Sequence, residues 1–418
     1  MAAAGERRGA QGVEIAQRET RVPATERVGP RKPFRLRERS RQLVLTAISR
    51  SGPISPAQLS TSTGLSRATI ASVVSELVGE GRVVGAAEEA SGRGRPPQLL
   101  SVAPARGYVV GIDFGHSHIS VALADRSGAV LAEHNQDLDV DASSEAALQL
   151  AAESLRALVA TRPDLPAAPS SVVMGVPGPI DNTTGRLRAG TLLPGWTDLR
   201  PAAELAALIG SPVLAENDAN LSALGELAQG AGRSVRNFLY VKAATGIGAG
   251  VIIDGALYRG ARGTAGEIGH VQIRENGSLC RCGSRGCLET VASAGFAESL
   301  LRQRPGSENL GLRELTGNGS PAAGRVFNDM GRAIGRVVAD VSSSVDPEYI
   351  IVGGRLVDDA GELIDGIAAA VNRYTQPYVS AQLQVIRGAL GRRAALVGAI
   401  ALAVSTANSP PGVPAVTM

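Results

Sequence analysis

The pattern that most restricts the fold of this chain occurs twice. Tyr108 to Asp113 reads as a strand, Phe114 to His118 as a turn and Ile119 to Ala124 as a second strand. Ser127–Gly128 then turns into a third strand, Ala129 to His134. The same order returns later. Asn237 to Lys242 is a strand, Ala243 to Gly246 a turn, Gly248 to Ile253 a strand, Asp254–Gly255 a hairpin turn and Ala256 to Arg259 a third strand. The first turn of each copy is polar and small, Asp113-Phe114-Gly115-His116-Ser117-His118 and Ala244-Thr245-Gly246-Ile247-Gly248-Ala249-Gly250. A single glycine turn of this kind is common and carries little meaning. Two of them, each opening a lobe, predict a duplicated body with both turns on a common cleft. Backbone N–H groups there can bind phosphate oxygens, because glycine lets the chain come close.

The segments between and after the meanders read as α/β. Helices are expected at Ser144 to Thr161, Pro201 to Ile209 and Ala219 to Gly230, with strands at Ser171 to Val176 and Pro212 to Ala215. Ser320 to Val345 reads as a long helix, Tyr349 to Val352 as a buried strand and Ala394 to Ala407 as a helix rich in small residues.

The front of the chain has a different character. Residues 1–105 hold 16 basic and 9 acidic side chains, a net +7, whereas the rest holds 26 and 30, a net −4. Such an asymmetry suits a nucleic-acid module ahead of a separate body. Residues 1–34 have few large apolar side chains and are expected to be a disordered basic tail. Residues 35–102 read as a winged helix-turn-helix. Leu36 to Arg50 is amphipathic through Leu36, Leu43, Val44, Ala47 and Ile48. Ser55 caps a short helix with Pro56 at its first position, and Gly64 turns the chain. Ser66 caps a second helix, Arg67 to Glu80, whose apolar face is Ile70, Val73, Val74 and Leu77. Ser66, Arg67, Thr69 and Ser72 are left at its exposed N-terminal end, where a recognition helix meets base edges. Val83–Val84 and Leu99–Val102 read as wing strands. Between them, Arg93 and Arg95 lie in an Arg-Gly-Arg-Pro run that suits a minor groove and is otherwise a flexible basic linker.

All three cysteines fall in one stretch, Gly263 to Glu289. Cys280, Cys282 and Cys287 with His270 make a complete tetrahedral set for a structural zinc ion. An odd cysteine count clustered this tightly argues against a secreted disulfide framework. Glu267 and Glu289 flank the ligands. Glu216-Asn217-Asp218 ends a buried strand, where polar residues tend to face a ligand crevice. Asp218 there is a candidate general base and equally a plain helix cap. A hydrophobic content of 44% is ordinary for packed cores. No long uncharged apolar run and no leader-like h-region is present, so a cytoplasmic protein without membrane contact is expected.

The ordered motifs DxGxS, GxPGxxD, END, TGIGAG, GEIGH, CxCGxxGCLE and a late Gly-Gly resemble those of the ROK family of repressors, open reading frames and sugar kinases. The winged helix in front resembles the repressor branch, as in the xylose and N-acetylglucosamine regulators. The resemblance implies an actin-like, RNase H-like fold of two lobes with sugar and ATP between them. It implies that Asp218 matches the catalytic base, that Asn217, Asp218, Glu267, His270 and Glu289 contact sugar, and that His270, Cys280, Cys282 and Cys287 hold zinc. It also implies that Asp113, Gly115 and Ser117, Thr245 and Gly246, and Gly353 and Gly354 are the nucleotide-binding positions. The expected boundaries are 106–221 plus 391–408 for lobe I, 222–390 for lobe II and 409–418 for a disordered tail.

Some residues depart from the kinase pattern. The kinase turn is commonly Asp-x-Gly-Gly-Thr-Lys. Here His116 stands where backbone should approach phosphate, and His118 replaces a cation with a mostly neutral ring. Ala244 stands where kinases often have glycine, and Leu192 where the family has Asn. The expectation is therefore a sugar-responsive regulator, a repressor acting on a double-stranded DNA operator as a homodimer or homotetramer. Its effector would be a sugar or sugar phosphate. The alternative is an ATP- and Mg²⁺-dependent hexose kinase with a DNA-binding head.

Overall fold

The computed structural model describes residues 40–41, 43–48, 51, 53–80, 82–87, 98–102, 107–188, 194–197, 199–316, 320–359 and 361–409. The chain divides into two compact units, residues 1–103 and 104–418.

In the first unit, residues 43–48 are helical, and Val44 and Ile48 are buried. Leu43, expected on the same face, is instead 43% exposed. Helix Pro56–Thr63 begins with a capping box, in which Ser55 accepts from Gln58 N and the Gln58 side chain accepts from Ser55 N. It ends at Gly64 with φ 70°, a left-handed cap that glycine adopts without strain. Helix Arg67–Gly79 follows after Ser66, whose hydroxyl accepts from Thr69 N. Strands β1 (Val83–Ala87) and β2 (Gln98–Val102) pair antiparallel, with Val83 opposite Val102. Ile54, just before helix Pro56–Thr63, bridges Leu100 of β2. One small core unites Val44, Ile48, Ile54, Leu59, Ile70, Val73, Leu77, Val83 and Leu100.

The second unit contains the predicted duplication. One sheet runs β5-β4-β3-β6-β7, made of Val130–Asp137, His118–Asp125, Tyr108–Phe114, Ser171–Val176 and Val213–Asn217. The other runs β10-β9-β8-β11-β12, made of Ala256–Tyr258, Ile247–Ile253, Phe238–Ala243, Tyr349–Gly353 and Gln384–Arg387. In both, an antiparallel meander passes into parallel strands at its third position. Strand β3 is buried along its whole length, as an apolar run covered on both faces should be.

Two helices lie between the sheets. Helix Asp218–Gln229 packs on β8 and β9, helix Ala394–Asn408 on β3 and β6, and the two pack on each other. Their contact is backbone to backbone. A Cβ on Gly398 would strike the Leu221 carbonyl, and one on Gly225 would strike the Ala394 carbonyl. The small residues of the last helix are what permit this approach. Helix Asp218–Gln229 is continuous through the expected lobe boundary at residue 221. On the outer faces, helices Ser144–Ala160 and Pro201–Ile209 contribute to the core of the first sheet. Helices Pro321–Val345 and Gly361–Tyr374 contribute to that of the second. Among the described residues, no helix is long and apolar enough to cross a membrane.

Candidate functional site

The parallel strands of both sheets deliver their C-terminal ends to one cleft of about 620 Å³ in the second unit. Its walls include both glycine turns, the end of β7, the start of helix Ala394–Asn408 and the ligand-rich stretch after β10.

The end of β7 supplies Glu216, Asn217 and Asp218, all buried. The helix cap here is Asn217, not Asp218: its Oδ1 accepts from Ala219 N at 2.8 Å and Asn220 N at 3.1 Å. Asp218 is the first helical residue, and its carboxylate is left for another partner. That partner is Lys242 at the end of β8, whose Nζ donates to Asp218 Oδ2 at 2.7 Å. Burial pulls the Lys242 ammonium down, but the charges of Asp218 and Asp113 outweigh it and hold the group above the ordinary lysine value. Glu216 accepts from Arg259 Nε at 2.6 Å, from Asn217 N and from Asn220 Nδ2. Lys242 and Arg259 were not among the sequence-derived candidates, and each joins the second sheet to an acid on the first.

Both histidines of the first turn line the cleft, and His116 is also held by an acid. Its Nδ1 is 2.7 Å from Asp141 Oδ1, in the loop after β5. The ring packed on Gly115 is that of His118, which sits where a Cβ on Gly115 would be, with Nε2 3.4 Å from Asp113 Oδ2. Asp113, Gly115 and Ser117 all line the cleft, as do Thr245, Gly246 and Gly354. Gly353 does not line it. It ends β11, where a Cβ would strike the Tyr240 hydroxyl.

The stretch after β10 folds onto β9 by backbone contact. Gly266, at φ 93°, accepts from Ala249 N and stands too close to the Ala249 carbonyl for any side chain. His270, Cys280, Cys282 and Cys287 present ligand atoms all within 4.8 Å of one another. Cys282 Sγ is 3.7 Å from Cys287 Sγ, and Cys280 Sγ is 3.6 Å from His270 Nδ1. Tetrahedral bonds of about 2.3 Å to sulfur and about 2.0 Å to nitrogen place two sulfurs about 3.8 Å apart, and a sulfur and nitrogen about 3.5 Å apart. The four residues thus fit one tetrahedral metal ion. The other nitrogen of His270, Nε2, lies 4.0 Å from Glu267 Oε2, near but beyond hydrogen-bonding distance. Burial, then the charges of Asp218 and Glu289, raise the Glu267 carboxyl to about 7. Glu289, two residues beyond Cys287, accepts from Ile247 N at 3.2 Å and so ties the metal loop to the second turn.

Asn217, Asp218, Glu267, His270 and Glu289 therefore share one cleft. Their carboxylates, amide and imidazole can accept from and donate to several hydroxyls at once. In the first unit, Ser66, Arg67 and Ser72 are exposed, and Thr69 is half-buried beside the Ser66 hydroxyl. Arg93, Arg95 and Leu192 lie outside the described residues.

The sequence pattern of the ROK family matches residues 109–406. The xylose repressor of Bacillus spizizenii is 30% identical over 366 residues, 86% of this chain and 93% of that protein. The crystal structure of a ROK family transcriptional regulator, a homolog of the E. coli MLC protein, covers 89% of this chain and 96% of its own, at 26% identity and a TM-score of 0.74. A ROK family glucokinase from Streptomyces griseus, solved with glucose and AMPPNP, covers 71% of this chain and 99% of its own, at 28% identity and a TM-score of 0.62. The chain belongs to the ROK family, and residues 109–406 carry its actin-like, sugar-kinase-type fold.

Proposed function

We propose that this protein is a sugar-responsive repressor that binds double-stranded DNA and changes its operator affinity when a sugar occupies the cleft. The observation that carries the reading is the state of Asp218. The acid that a kinase would use as its base is already bonded to Lys242 at 2.7 Å, while the other hydroxyl-binding side chains remain around it. The His118 ring over Gly115 works in the same direction, because it occupies the close approach a phosphate would need. The repressor relative aligns over 86% of this chain, whereas the glucokinase structure aligns over 71%.

In this reading residues 35–102 are the winged helix-turn-helix. Ser66, Arg67, Thr69 and Ser72 face base edges, and Arg93 and Arg95 enter the minor groove. Asn217, Asp218, Glu267, His270 and Glu289 hold the sugar, and zinc on His270, Cys280, Cys282 and Cys287 fixes the loop that carries three of them. A homodimer or homotetramer presents paired DNA-reading heads, and sugar that favours one arrangement of the lobes shifts operator affinity by linkage. The test is binding of the full chain to its own upstream DNA across a panel of pentoses, hexoses and their phosphates. Sequence-specific retardation that one sugar relieves is expected. No specific DNA binding, with or without any sugar, sinks the proposal. The kinase alternative keeps Asp218 as base, and a coupled ADP-release assay with ATP and Mg²⁺ addresses it. Turnover that vanishes in Asp218→Asn would replace the repressor reading of the cleft with the kinase one.

A further inference from the structure

Asp113 and Asp218 approach the cleft from two different strands of the first sheet, β3 and β7, and both are at least nine-tenths buried. Asp113 Oδ1 has no hydrogen-bond partner among the described residues, and its Oδ2 has only the His118 ring nitrogen at 3.4 Å. Two buried carboxylates on one cleft need a compensating cation. Phosphoryl transfer meets that need with a divalent metal, which carboxylates hold and which bridges the phosphate oxygens. Here a side chain of the second sheet does so. Lys242 Nζ donates to Asp218 Oδ2 at 2.7 Å, and the Asp113 charge acts on the same ammonium.

We infer that Lys242, bonded to Asp218, is a resident cation standing in place of a divalent metal that Asp113 and Asp218 would otherwise share, so that the cleft takes a sugar without metal. The sugar half of this statement rests on the receptor reading above, and the metal half does not. A fixed ammonium touching one of two carboxylates both fills the space a metal would take and repels it.

The probe is Mn²⁺ added to the zinc-replete full chain and followed by water-proton relaxation. Wild type should show no saturable site in the low millimolar range, and Lys242→Met should bind Mn²⁺ about tenfold or more tightly. The gain should vanish in Lys242→Met/Asp113→Asn. Wild type binding Mn²⁺ as tightly as Lys242→Met overturns the inference, and so does a gain that survives Asp113→Asn. Should Lys242→Met fail to fold, wild type and Asp113→Asn alone decide: a saturable wild-type site lost in Asp113→Asn refutes it, and two equally silent proteins support it. In parallel, the thermal shift of wild type with each unphosphorylated sugar should be unchanged by added Mg²⁺. A shift that requires Mg²⁺ refutes the inference, whereas no shift with any sugar counts against the receptor reading and leaves the Mn²⁺ result standing.

Discussion

Glu226 offers the sharpest test of how the cleft is held together. It lies on helix Asp218–Gln229 with no exposed surface. Its Oε2 accepts from Ala231 N at 2.7 Å and Ala389 N at 3.1 Å, and its Oε1 from Leu390 N at 3.0 Å. Residues 389 and 390 form the turn that carries the chain from β12 into helix Ala394–Asn408. One carboxylate therefore joins the helix that presents Asp218 to the helix that closes the cleft. Glu226→Gln keeps the shape but has a single acceptor oxygen. At least one of the three N–H groups then faces an amide NH₂, at about 1–3 kcal/mol for a buried orphan donor, and the others lose their charge assistance, about 1 kcal/mol in all. The expected loss is about 3 kcal/mol, or a fall in Tm of about 4–5 °C for a unit of this size. Urea unfolding followed by fluorescence suits the measurement. Trp196 is the only tryptophan, lies in the second unit and is fully buried, with its indole N–H donating to the Val140 carbonyl at 2.8 Å. A Glu226→Gln protein within about 0.5 kcal/mol of wild type, the range of an ordinary surface change, would refute the reasoning.

Three further outcomes follow from the same geometry. Asp218→Ala should cost about 2–4 kcal/mol by leaving the Lys242 ammonium short of its partner, and Asp218→Ala/Lys242→Met should recover at least half of that by urea titration; a free catalytic base would show no such recovery. Cys282→Ser should lose about one equivalent of zinc by metal analysis, and with it the thermal shift that sugar gives the wild type. Asp181 is held well below the usual carboxylate range by the Arg188 guanidinium and by the Thr184 and Thr183 amides. A depressed carboxyl stabilises the fold above its unfolded value of about 3.9 and loses that contribution as pH falls through its folded value. Asp181→Asn should accordingly melt below wild type at pH 7, with the gap narrowing as the pH is lowered beneath about 4.

The duplication was legible because its signal is local. A polar glycine turn between apolar runs marks each meander, and both turns lie on the cleft. The clustering of His270, Cys280, Cys282 and Cys287 was legible for the same reason, since three cysteines and a histidine fall in one short stretch. Helix Gly361–Tyr374 carries an equally local signal. Its buried residues Leu363, Gly366, Ile367, Ala370 and Val371 follow a helical period that the sequence analysis did not use. Strand Gln384–Arg387 is different, a four-residue edge strand with only its middle half-buried, too short for periodicity to speak. Lys242 and Glu226 lay out of reach for another reason. In Leu-Tyr-Val-Lys-Ala a lysine reads as a solvated strand position, and in Leu-Gly-Glu-Leu-Ala a glutamate reads as a helix surface. Only the pairing of the sheets brings Lys242 to Asp218, and only the return of the chain after β12 brings three amides to Glu226. The first turn shows the limit most clearly. Two histidines were visible there, but not that His118 packs on Gly115 while His116 bonds to Asp141, 25 residues away.

The ion pairs across the cleft give the proposed switch a physical form. Lys242 reaches from β8 to Asp218, and Arg259 from the end of β10 to Glu216, so both acids stand on the first sheet's side and both cations on the second's. The sugar-binding candidates divide the same way, with Asn217 and Asp218 on one side and Glu267, His270 and Glu289 on the other. A ligand bonded to both sets gains only when the sets are close, and that difference is the free energy available to shift the arrangement of the lobes. Full reversal of a 1:99 equilibrium needs about 5.5 kcal/mol of preference. Two or three hydrogen bonds to charged groups, at about 1.5–3 kcal/mol each, supply it. Lys242 holds Asp218 toward the second sheet by a bond of 2.7 Å that needs no sugar. Lys242→Met should then widen the difference between free and sugar-bound protein in small-angle scattering, and an unchanged difference would remove the ion pair from the switch.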